Sequence, residues 1–307
     1  MRLPLPLLNL FLRWIEKPYL RHMAEPLKMR RRFEFQARWL FLSPPYTTYL
    51  DDILAVEGHS VSAHWAMARG ADRNRVILYF HGGGYLFGSP RTHRAMLARL
   101  SGLAEAVAVL PDYRKAPEHP FPAATEDALL SYRVLLARGY APENIVLGGD
   151  SAGGGLALAL LHLICQNDLP HPAGLFAFSP WTDLTLSGAS LKVNRDTDPY
   201  LPVERTKETA AMYLAGADAS NPTASPLFGQ FRGAGPVYLQ VGSTEILLDD
   251  SRRLLDALVS QGVRAELHVW PDVPHVWQIF QGRLNQADKA LADVAGFVAA
   301  SLGPKPI

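Results

Sequence analysis

Gly149, Asp150, Ser151, Ala152 and Gly153 stand between a short apolar run, Asn144 to Leu147, and an Ala- and Leu-rich run, Ala152 to Gln166. The first reads as a buried strand and the second as a helix. A serine at such a junction, with glycines two residues before and after it, marks a sharp turn, because no Cβ obstructs the close approach of strand to helix. The turn pushes the Ser151 hydroxyl outward. It also sets the first N–H groups of the helix beside any anion that forms there. The alternative is an ordinary glycine-rich turn, so the rest of the chain must supply a base, an orienting acid and further amide donors.

Around this junction the chain alternates. Strands are expected at Val76 to Phe80, Ala106 to Leu110, Gly174 to Phe178, Val237 to Val241 and Ala265 to Val269. Helices are expected at Arg91 to Leu103, Ala124 to Arg138, Ser251 to Gln261 and Gln286 to Ser301. Continuous apolar runs of this length, separated by helices, belong to a mostly parallel sheet covered on both faces. Ahead of them, Ile53 to Val56 and Val61 to Met67 flank Gly58 and read as an antiparallel pair. From Leu184 to Asn221 strand character disappears, although Val203 to Leu214 is compatible with helix, so this segment reads as an insertion suited to a lid. Pro44 and Pro45 close a helical N-terminal segment. The division expected is therefore N-terminal cap helices at 1–46, core at 47–184, a cap insertion at 185–225 and core again at 226–307.

With 48% hydrophobic and 19% charged residues, the 307-residue chain can build a large core. Thirty basic against 29 acidic residues leave no overall field for nucleic acid. The lone Cys165 excludes an intramolecular disulfide, and the ten histidines show no metal-ligand spacing, so no metal is expected. Leu3 to Leu12 is too short to span a bilayer and lacks a small-residue cleavage site, which disfavours a signal peptide and leaves a cytoplasmic location as the default. It reads as an amphipathic helix instead. Residues 1–40 carry nine Lys or Arg and three Glu, a pattern of either a solvated helical face or one that meets a membrane surface.

The missing partners of Ser151 lie at the ends of other strands. His81, Gly82, Gly83, Gly84 and Tyr85 follow the buried run Val76 to Phe80, and a glycine loop of this kind presents backbone N–H groups at close range. Such a loop supplies oxyanion-hole amides in lipases and esterases, with Gly83, Gly84 and Ala152 as donors here. The order serine, acid, histidine is met by Ser151, Glu245 and His275. His275 lies in the loop after the last strand, whereas the rival His268 lies inside that strand, and His119 sits in a loop fixed by three prolines. Glu245 is four residues past its strand. Its rival Asp249, with Asp250, precedes a helix and suits a cap or dipole role. Tyr85, Trp181 and Tyr213 are candidate pocket walls, although aromatics at such positions equally serve as core.

Taken together, His81 to Gly84, Asp112 to Pro122, Gly149 to Gly154, Ser179 to Asp183, Asn221 to Leu227 and the Glu245 and His275 regions resemble the hormone-sensitive lipase family of α/β-hydrolase esterases. The resemblance runs from about Ile77 to His275. It implies an α/β-hydrolase fold with a helical cap and a serine carboxylesterase acting on short- to medium-chain esters through an acyl-enzyme, without a cofactor. The family often has Asp, Pro and Leu where this chain has Glu245, Ile246 and Leu247, and a glutamate performs the same orienting role. The expected partner is a small-molecule ester; stable membrane insertion is not expected, while peripheral contact by the N-terminal helix and a homodimer are left open. Two rival functions share these features: amide or formamide hydrolysis by the same triad, and non-catalytic ligand binding, as in the plant gibberellin receptors, which lack the catalytic histidine.

Overall fold

The computed structural model describes residues 2–23, 25–56 and 58–302, so the end of the segment assigned to 226–307 lies outside the described residues. Among the described residues, eight strands form one sheet: β1 (Thr47–Val56), β2 (His59–Ala68), β3 (Asp72–Phe80), β4 (Ala106–Pro111), β5 (Ile145–Asp150), β6 (Gly174–Phe178), β7 (Val237–Gly242) and β8 (Ala265–Trp270). Their order is β1-β2-β4-β3-β5-β6-β7-β8. β1 and β2 are the antiparallel pair expected from the sequence, and β2 meets β4 antiparallel, while every pairing from β4 onward is parallel. The first strand is longer than its apolar residues indicate. Asp51 and Asp52 lie on the edge of the sheet, where Asp52 accepts hydrogen bonds from Trp65 and Arg138, so charge does not end the strand.

Side chains of the central strands are sorted by the period of two. Val76, Leu78 and Phe80 face one core while Ile77 and Tyr79 face the other; likewise Leu175 and Ala177 oppose Phe176 and Phe178. Both layers are apolar, which is why these segments lack polar alternation. Helices α5 (Ala123–Ala137), α6 (Ser151–Gln166) and α9 (Leu248–Ser260) cover the first face, and α4 (Pro90–Ala104) and α10 (Asn285–Ser301) cover the second. α9 starts three residues earlier than Ser251, with Asp249 and Asp250 in its first turn, where carboxylates favour the positive end of the helix dipole.

The topology sets the position of the site. β3 lies between β4 and β5, so the chain leaves it in one direction and returns on its other side, and the crevice at the carboxyl ends of β3 and β5 is a topological switch point. Phe80 and Gly149 are register partners there. The glycine loop and Ser151 thus emerge side by side.

At the N-terminus, α1 (Leu5–Phe11) runs through one wide turn, Leu12–Glu16, into α2 (Lys17–His22), and α3 (Pro26–Leu40) follows. Leu8 and Leu12 pack on Val273, Trp277 and Leu284, next to the loop that carries His275. The segment between β6 and β7 holds the short α7 (Ser190–Val193) and α8 (Val203–Leu214). Arg13 and Lys17 donate to the backbone carbonyls of Arg195, Asp196, Thr197 and Asp198, tying the N-terminal helices to this insertion.

Candidate active site

Ser151 begins α6 with φ +52°, in the left-handed region that costs a side-chain-bearing residue about 1–3 kcal/mol. Neighbouring backbone leaves no alternative to glycine on either side. A Cβ at Gly149 would lie 2.2 Å from the Gly153 carbonyl oxygen, and one at Gly153 would lie 2.1 Å from that of Phe80. Because Ala152 is the second residue of the helix, its N–H belongs to the first turn, whose amides have no intrahelical acceptor.

The glycine loop is clamped to this turn by Asp150. Its buried carboxylate accepts hydrogen bonds from Tyr79 Oη (2.8 Å) and the Gly82 amide (3.0 Å), and His93 Nε2 lies 3.3 Å away. The loop is fixed from the opposite side by the Tyr113 hydroxyl, which donates to the His81 carbonyl at 2.7 Å. The rings of His81 and Tyr113 stack at 4.4 Å. Burial, with Lys115 and His93 adding to it, holds His81 well below the usual histidine pKa, so this ring is neutral and structural. Gly83 has φ +124°, and a Cβ there would meet the Phe87 carbonyl at 2.2 Å.

His275 and Glu245 form the third part. His275 Nδ1 lies 2.6 Å from Glu245 Oε2, and both side chains are buried. Glu245 Oε1 accepts from Ser179 Oγ (2.7 Å) and the Gly242 amide (2.5 Å), so a fully buried carboxylate has three donors. Ser179 Oγ also accepts from the Val276 amide at 3.4 Å and so links the acid to the histidine loop. Burial lowers the His275 pKa, but the charge and hydrogen bond of Glu245 outweigh it, with Asp198 and Asp150 beyond, and the net shift is upward. Tyr200 stacks on the imidazole at 6.3 Å.

Asp198 supports this arrangement from the insertion. Its carboxylate accepts from the Ile246 amide (2.9 Å) and from those of Tyr200 and Leu201 (2.8 and 2.9 Å), while Asn194 Nδ2 holds the Glu245 carbonyl at 2.7 Å. Burial, and then the nearby Glu245 charge, raise the Asp198 pKa.

Ser151, His275, Gly83, Gly84 and Trp181 all line one cavity of about 170 Å³. Its other walls are largely apolar and come from both ends of the chain: Leu12, Phe33 and Leu40 from the N-terminal helices, Leu201 and Thr209 from the insertion. Tyr85 and Tyr213 are not among the lining residues. They stack on each other at 3.7 Å in the core, so of the three aromatics proposed as walls only Trp181 faces the cavity.

The rival residues are occupied elsewhere. His268 lies between Tyr238 and Glu266, His119 is exposed, and Asp249 accepts from the Ser190 amide. Sequence reasoning assigned no role to Asp150, Ser179, Asn194 or Asp198. Ser179 carries a signal that could have found it, since it ends β6 on the same sheet edge as the other site residues. Asp198 has none, because the Tyr200 and Leu201 amides are partners that any loop aspartate can take, and the one that ties it to the site, the Ile246 amide, is distant in sequence.

The sheet, its switch point and the serine turn define an α/β-hydrolase, and comparison with known proteins agrees. A family described as having the alpha/beta hydrolase fold matches residues 77–279. The chain is 38% identical over 252 residues to an acetyl-hydrolase of Streptomyces hygroscopicus (82% of this chain, 83% of that one) and 35% identical over 246 residues to an esterase of Acinetobacter venetianus (80% and 79%). A crystal structure of an esterase from the bacterial hormone-sensitive lipase family superposes with a TM-score of 0.90 at 39% identity, covering 99% of this chain and 100% of that one. The chain belongs to the α/β-hydrolase family, and the resemblance to its hormone-sensitive lipase branch holds. It is a carboxylic ester hydrolase.

Proposed function

We propose that Ser151, His275 and Glu245 form a catalytic triad that hydrolyses short- to medium-chain esters through an acyl-enzyme. The observation that carries this reading is the pairing of His275 Nδ1 with the buried Glu245 carboxylate, in a cavity that Ser151 also lines. With Nδ1 donating to Glu245, the neutral imidazole presents Nε2 as the acceptor. Ser151 Oγ attacks the ester carbonyl carbon, its proton passing to His275 Nε2. Glu245 stabilises the resulting imidazolium. The Gly83, Gly84 and Ala152 amides receive the oxyanion. As the bond from carbon to the leaving oxygen breaks, His275 returns the proton to the departing alcohol. Water then repeats the sequence on the acyl-enzyme, losing a proton to His275 and releasing the acid as Ser151 recovers its own.

Residues 1–46 and 185–225 act together as the cap, a reading supported by their shared lining of the cavity and by the Arg13 and Lys17 hydrogen bonds between them. A cavity of about 170 Å³ is smaller than the ~300–1,000 Å³ of drug-sized ligand pockets, which favours small acyl groups. The name acetyl-hydrolase borne by a relative points the same way. Turnover of p-nitrophenyl esters of increasing acyl length tests both parts. Activity should decline once the acyl chain outgrows the cavity and should disappear in Ser151→Ala; full turnover by that variant would remove Ser151 from the mechanism.

A further inference from the structure

The N-terminal helices bury one face over the cavity and leave the other uncovered. Leu7, Leu10, Phe11 and Trp14 recur at helical spacing and are 44–68% exposed. On α3, Phe35 and Trp39 are 64% and 70% exposed, exposed Arg31 and Arg38 fall on the same stripe, and Leu42, 51% exposed, lies just past the end of the helix. The two stripes lie on adjoining helices. The Leu3 amide donates to the Arg283 carbonyl, and the Arg283 guanidinium donates to the Trp39 and Leu40 carbonyls, so the start of α1 meets the end of α3. Further along, Glu16 accepts from Arg32 and Gln36, which lays the helices side by side in opposite directions.

Single exposed apolar residues are ordinary, but a two-helix surface of large aliphatic and aromatic side chains is not. The charge left unpaired on it is net basic. Of the nine Lys or Arg in residues 1–40, Arg2, Arg21, Lys28, Arg30 and Arg32 are in ion pairs, and Arg13 and Lys17 donate to backbone carbonyls of the insertion. That leaves exposed Arg31 and Arg38 against the one carboxylate between them, Glu34. Phe11 belongs to both surfaces, being 44% exposed and also a wall of the cavity. The apolar surface is thereby continuous with the cavity mouth.

We infer that this surface docks on anionic lipid bilayers and that the enzyme takes its esters from them. The second half of the inference rests on the esterase reading; the docking itself does not. Trp14, Phe35 and Trp39 seat at the level between headgroups and acyl chains, while Arg31 and Arg38 meet the anionic headgroups. Phe11 marks the point at which a bilayer-dissolved ester passes into the cavity.

Vesicle flotation tests the docking, with vesicles of phosphatidylcholine and phosphatidylglycerol compared with phosphatidylcholine alone. Wild type should float with the mixed vesicles and bind less at high salt or to the neutral ones. Arg31→Gln and Arg38→Gln should each weaken binding about fivefold. Trp14→Ser combined with Trp39→Ser should weaken it at least ~tenfold. Neither pair lines the cavity, so hydrolysis of soluble p-nitrophenyl acetate should be unchanged, while hydrolysis of an ester embedded in mixed vesicles falls with binding. Ser151→Ala should bind vesicles as wild type does, which separates failure of docking from failure of the esterase reading. Absence of wild-type binding, or equal binding by the variants, overturns the inference. So does a dimer in analytical ultracentrifugation that the tryptophan variant converts to monomer without any vesicle binding, since the surface would then belong to a second copy of the chain.

Discussion

Replacing Glu245 with glutamine changes one atom's chemistry and, through the geometry around it, reverses the histidine. Oε1 receives one donor that cannot turn away, the Gly242 amide at 2.5 Å, and a second from Ser179 Oγ at 2.7 Å. The Gln carbonyl oxygen must occupy that position, because an NH₂ there would face a backbone N–H donor. Its NH₂ is then left where Oε2 lies 2.6 Å from His275 Nδ1. An NH₂ only donates, so Nδ1 becomes the acceptor and the ring proton moves to Nε2. The wrong nitrogen now faces the serine. By analogy with the tautomer reversal measured in another serine hydrolase, kcat should fall ~10⁴-fold, or about 5 kcal/mol of transition-state stabilisation, with KM little changed. A second readout follows from the charge. Glu245 raises the His275 pKa, and only the neutral imidazole accepts the serine proton, so wild-type activity rises with pH through a value above the usual histidine pKa. Residual activity of Glu245→Gln should show that rise at lower pH. Steady-state kinetics across pH on a soluble ester would refute the reasoning if the variant kept kcat within tenfold of wild type, or if its acid limb did not move.

Three further outcomes follow from the geometry. Gly83→Ala places a Cβ 2.2 Å from the Phe87 carbonyl and displaces an oxyanion donor, so kcat should fall ~10²–10³-fold with KM less affected. Asp198→Ala leaves the Ile246, Tyr200 and Leu201 amides without their acceptor; at about 1–3 kcal/mol for a buried unsatisfied donor, a lower urea midpoint should accompany the loss of activity. Burial pushes the Asp250 carboxyl up to about 7 against 3.8 in the unfolded chain, so the folded state holds that proton more tightly and loses its contribution as pH rises from about 4 through 7. Thermal melts should show the stability of wild type relative to Asp250→Asn declining over that range, and a constant difference would contradict the assignment.

Much of this was legible before the structure because the physics involved is local. A buried strand ending in a serine flanked by glycines states its own turn, and Phe176 and Leu78 announce a two-sided core by the absence of polar alternation between them and their neighbours. Distance past a strand end also favoured Glu245 over Asp249, and it is Glu245 that lies against His275. What escaped was set by contacts between distant segments. Tyr85 and Tyr213 carry the same chemistry whether they wall a cavity or stack in a core, and only the packing of α8 decides it. Asp198 looks like any loop carboxylate until the turn at Ile246 is placed above it. β1 extends back to Thr47, beyond the apolar run Ile53 to Val56, because an edge strand tolerates Asp51 and Asp52.

The claim on which the rest depends is that Ser151 is the one nucleophile of this cavity. Intact-mass and peptide analysis after treatment with a fluorophosphonate probe measures it directly. A single adduct on the peptide containing Ser151, formed in step with loss of turnover and absent from Ser151→Ala, is the expected result. Labelling elsewhere with Ser151 untouched, or turnover that survives stoichiometric labelling of Ser151, would contradict it.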